Sequence, residues 1–60
     1  MTSKELAYLE DALSKENFII EKMNVIISNI ECEECIKDLE NIQKVHQKDV
    51  KKLEKLLMED

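Results

Sequence analysis

The chain has 60 residues, a net charge of −5, 38% charged residues, and no Gly, Pro or Trp. Its apolar runs are only a few residues long, short of the roughly 20 that a membrane span requires. The acidic balance also argues against nucleic acid, because all nine cations are lysines and none is grouped with aromatic residues into a stacking platform. The opening residues, Met1 to Glu5, carry no apolar stretch of the secretory kind, so a cytoplasmic protein is expected. A chain this short buries only about 60% of the surface its unfolded form exposes. Small folds therefore lean on disulfides, a metal or a partner subunit. With two cysteines there is at most one internal bridge, which makes self-association the expected support.

The first predicted element opens at Thr2-Ser3-Lys4-Glu5. This is a capping box, in which the Thr2 hydroxyl takes the Glu5 amide and the Glu5 carboxylate reaches back. From there Leu6, Leu9, Leu13, Glu16, Ile20, Met23, Ile27 and Ile30 alternate at spacings of three and four. That is a heptad seam with one polar member, Glu16. Ala12, Ile19 and Ile26 widen the apolar face, and Phe18 and Val25 widen it further. The face is too broad for a single partner helix.

A second seam follows: Cys32, Ile36, Leu39, Gln43, His46, Val50, Leu53 and Leu57, with Gln43 and His46 as its polar members. Continuing the first seam past Ile30 would put Glu34, Lys37, Asn41, Lys44 and Lys48 in a core. The apolar stripe thus jumps by two residues, about 200° of helical rotation, which a continuous coiled coil does not absorb. A break restores both faces to one core, with Ser28 and Asn29 as the local stop. The expected fold is all-α: an antiparallel helical hairpin, with helix 1 over about 3–28, a turn over about 29–32 and helix 2 over about 33–58. Two such hairpins, as a homodimer or a higher oligomer, would make a four-helix bundle.

Charge runs along helix 2 in the direction its dipole favours. Glu31, Glu33, Glu34, Asp38 and Glu40 stand near its start, and Lys44, Lys48, Lys51, Lys52 and Lys55 near its end. Met23 and Met58 read as core filler, and Tyr8 as a rim residue. There is no Ser/His/Asp set, phosphate loop or second histidine, so catalysis by a nucleophile is not expected.

In a short hairpin, Glu16 falls at the height of Gln43 to His46, so three polar residues face inward near one level. One reading is a buried polar layer that sets register and oligomeric state, since a buried carboxylate needs partners. The other is a metal site. Gln43 and His46 lie three residues apart on one helical face, and a two-fold dimer would supply two Glu16 carboxylates and two His46 imidazoles, suited to Fe, Mn or Zn. The Cys32-Glu33-Glu34-Cys35 motif at the start of helix 2 also has several readings. The two thiols finish the core, bind a metal, or form a redox-active or disulfide pair.

A core Glu on one helix followed by Glu-x-x-His on the next resembles the ferritin-like di-iron carboxylate bundles, rubrerythrins included. The stretch from Leu39 to Leu53 is similar to the second helix of short ferritin-like hairpins, the spore coat F relatives among them. By that resemblance Glu16 matches the helix-1 carboxylate ligand and His46 the histidine ligand, and the chain dimerises to complete four helices. Gln43 stands where that family has its bridging Glu, and a neutral amide bridges two cations poorly.

Overall fold

The computed structural model describes residues 1–59. Two α-helices, α1 (Ser3–Asn29) and α2 (Glu33–Met58), account for nearly all of them. They pack antiparallel as a rod of 45 × 14 × 11 Å, about the length of one 27-residue helix at roughly 1.5 Å per residue. Among the described residues no helix is long and apolar enough to cross a membrane.

Each helix end has a local cause. Thr2 caps α1 with both halves of the capping box: its Oγ1 accepts from the Glu5 amide at 3.1 Å, and Glu5 Oε1 accepts from the Thr2 amide at 2.9 Å. At the far end, Ser28 Oγ donates to the Asn24 carbonyl at 2.8 Å, and Asn29 Nδ2 to the Val25 carbonyl at 2.7 Å. These i−4 back-bonds add a side-chain donor to carbonyls of the closing turns and compete there with the regular helical ladder, which suits the end of a helix. The chain then turns without glycine. Ile30 and Cys32 are both extended, and no described residue has positive φ. Cys32 caps α2 where Ser, Thr, Asp or Asn is usual, its sulfur accepting from the Cys35 amide at 3.2 Å.

Both seams meet in the middle of the hairpin. On α1, Met23 is buried and the other seven seam residues are half-buried. On α2, Gln43 is buried and Ile36, Leu39, His46, Val50, Leu53 and Leu57 are half-buried. Cys32 is exposed, because it lies just outside the helix as its cap. Met58 corrects an expectation. It is 84% exposed, since one residue past Leu57 the helix has turned about 100° away from the seam. Phe18 and Val25 also face outward, each 58% exposed, and the Phe18 ring carries the Lys22 ammonium 5.2 Å from its centroid.

The two sides of this hairpin differ. Helical phase puts Ala12, Ile19 and Ile26 on one flank of the α1 seam, and Cys35, Ile42, Asp49 and Leu56 on the α2 flank that faces the same way. Ile19, Ile26, Ile42 and Leu56 are 37–48% exposed there. The other flank is polar throughout: Glu10, Asn17 and Asn24 from α1, with Glu33, Glu40, Gln47 and Glu54 from α2, all exposed.

Candidate functional site

The three polar seam residues separate into two groups. Glu16, at the midpoint of α1, and His46, next to the midpoint of α2, meet directly, with His46 Nδ1 2.5 Å from Glu16 Oε2. Their side chains are only 22% and 24% exposed. Taken as a donor, the His46 Nδ1–H satisfies one carboxylate oxygen and holds the ring in a fixed orientation.

Gln43 belongs to the second group, one turn nearer the connection. Its Nε2 donates to the Ile20 carbonyl at 3.2 Å and to Asn24 Oδ1 at 2.6 Å. The backbone carbonyl can only accept, so the amide nitrogen of Gln43 must face it, and Asn24 must turn its oxygen toward that nitrogen. The single inward level expected for Glu16, Gln43 and His46 is therefore split. Glu16 and His46 lie toward the apolar side of the hairpin, and the Gln43–Asn24 pair toward the polar side. A difference of one helical turn and of seam flank is enough to keep the groups apart. Among the described residues no buried side-chain nitrogen or oxygen lacks a partner.

Asp49 joins the Glu16–His46 pair instead. One ligating atom from each of Glu16, His46 and Asp49 lies within 4.8 Å of the others, and all three residues are half-buried. Asp49 follows His46 by three positions, so the two side chains share a helical face. The sequence carried a signal for it, His-x-x-Asp at i, i+3. That signal is easily passed over, because an aspartate on a seam flank usually reads as part of a solvated face. Among the described residues no lysine forms an ion pair with Glu16 or Asp49; the nearest comparable bridge, Lys15 to Asp11 at 2.8 Å, is on the surface of α1. Its hydrogen bond and charge attraction from Asp11 raise the Lys15 pKa.

Cys32 and Cys35 are joined as a disulfide with their Cα atoms 5.2 Å apart. In that form the sulfurs offer no thiolate to a metal. They serve the connection instead, by fixing the first turn of α2 and supplying its cap. The cysteines lie at the turn end of the rod, and the Glu16–His46 pair at its middle.

Chemically, the central cluster presents one imidazole and two carboxylates, a mixed nitrogen and oxygen donor set. It has no aligned nucleophile. No protein-family model, no curated protein and no solved structure matches this chain.

Proposed function

We propose that this chain is a self-association module, in which two hairpins pack their apolar sides together as a homodimeric four-helix bundle. One observation carries the reading. Four exposed aliphatic residues, Ile19, Ile26, Ile42 and Leu56, line one flank of the seam, while the opposite flank holds only polar and charged residues. Among the described residues the hairpin alone buries a single hydrophobic residue, Met23, too little core to hold a 60-residue chain. A second copy supplies an apolar side of matching length and composition.

Charge favours pairing with the turns at opposite ends. The first half of α2 and its approach carry Glu31, Glu33, Glu34, Asp38 and Glu40 against Lys37. From Lys44 onward α2 carries Lys44, Lys48, Lys51, Lys52 and Lys55 against Asp49 and Glu54. An antiparallel pair sets acidic ends beside basic ones, where a parallel pair would stack like charges. It would also bring the two Glu16–His46 pairs, each at mid-helix, to one level of the bundle. A helix-1 carboxylate facing a helix-2 imidazole supports a ferritin-like design for that bundle. The engagement of Gln43 with Asn24 and Ile20 supports no bridging role for it, so we attach no oxidase chemistry to the design.

Sedimentation equilibrium at micromolar concentration tests the assembly. The expected result is the mass of two chains, falling to one chain when Ile19 and Ile42 are both replaced by lysine. A helical wild-type protein that sediments as a single chain would refute the reading.

A further inference from the structure

We propose that Glu16, His46 and Asp49 of a single hairpin form a binding site for one divalent transition-metal cation of the zinc, manganese or ferrous class. The site takes all three protein ligands from one chain, and Asp49 fills the place that sequence spacing had offered to Gln43.

The first argument is geometric. The three donor atoms already lie within 4.8 Å of one another, whereas a tetrahedral ion with bonds of about 2.0–2.2 Å needs them roughly 3.4 Å apart. That difference is of the size a change in side-chain torsion spans. Asp49 is the group with most freedom to close in, because no hydrogen bond or ion pair holds it among the described residues. Glu16 and His46 sit closer together than two ligands of one ion, at 2.5 Å. The ion therefore takes the place of the hydrogen on Nδ1, and the neutral imidazole keeps that proton as its Nε2–H tautomer while Nδ1 ligates.

The second argument is electrostatic. With a neutral imidazole the cluster carries two negative charges, on Glu16 and Asp49, and no lysine pairs with either among the described residues. It interrupts the apolar side of the hairpin, where uncompensated carboxylates are costly to shield from water. A divalent cation brings the cluster to neutrality. The donor set selects its class: an imidazole with two carboxylates suits zinc, manganese or ferrous iron better than the all-oxygen shells of calcium and magnesium.

The test is calorimetric titration of the untagged full chain with zinc chloride, alongside a Cys32→Ser/Cys35→Ser background that removes the thiols. Because the chain has one histidine, its imidazole NMR signals report this site alone. One zinc per chain is expected in both proteins, with the His46 resonances shifting in step. Asp49→Asn, which keeps size and shape on a half-buried flank, should weaken binding by at least about tenfold, as should Glu16→Gln. Gln43→Leu should leave the affinity unchanged, with circular dichroism verifying helicity in every variant. Absence of saturable binding overturns the proposal. So does binding that leaves His46 unmoved, survives Asp49→Asn intact, or disappears with the cysteines. The site does not depend on self-association: a monomer that binds one zinc upholds it and removes the dimer, and a zinc-free dimer does the reverse.

Discussion

Replacing Glu16 and His46 together by leucine should stabilise the folded chain, even though it removes a direct side-chain contact between the helices. The two side chains are 22% and 24% exposed, so leucines in their places would be roughly three-quarters buried. At about 1.5–3 kcal/mol for a fully buried leucine, each would contribute about 1–2 kcal/mol. Against that stands the loss of one hydrogen-bonded pair, worth about 1 kcal/mol at this exposure. The net expectation is a gain of about 1–3 kcal/mol for the double variant, and association over this side of the hairpin would increase it. Each single variant leaves a polar group beside a new leucine, and should fall below the double by at least about 1 kcal/mol. Urea unfolding followed by far-UV circular dichroism measures this, at one fixed protomer concentration because association contributes to stability. A double variant no more stable than wild type would show that the pair supports the fold. A stabilised one would show that the pair is kept for another purpose, as a cation site requires.

Two smaller expectations concern the helix ends. Thr2→Ala removes the hydroxyl half of the α1 capping box and should cost about 1 kcal/mol in the same unfolding assay. Cys32→Ser and Cys35→Ser both abolish the disulfide, but only the first puts a good hydroxyl acceptor at the α2 cap. Cys32→Ser should therefore be the more stable of the two by about 0.5–1 kcal/mol, and the reverse order would exclude a capping role for that sulfur.

The hairpin itself was legible in the sequence. Two regular seams and a two-residue phase jump between Ile30 and Ile36 demand a reversal, because one straight helix would carry its apolar stripe to opposite sides. The Thr2–Glu5 capping box was legible for a similar reason: it depends on residues three apart whose geometry the helix imposes. So was the placement of Glu16 and His46 on facing seams. These features follow from local periodicity, which side-chain identity along one chain encodes directly.

Only the tertiary structure decided which polar side chains meet. Seam position says that a residue faces the partner helix. It does not say to which flank the side chain leans, or how far along the axis it reaches. Those depend on the register between helices, and they separate Gln43, held by Asn24 and Ile20, from His46, held by Glu16. The same register brings in Asp49, a flank residue that periodicity assigns to solvent. It also sets the flank bearing Ile19 and Ile26 on the same side as the flank bearing Ile42 and Leu56. The sequence by itself therefore determined two helices, their reversal and their inward faces. The sidedness of the rod, and the third member of its central cluster, arise from contacts between residues 19 or more positions apart, which no local pattern records.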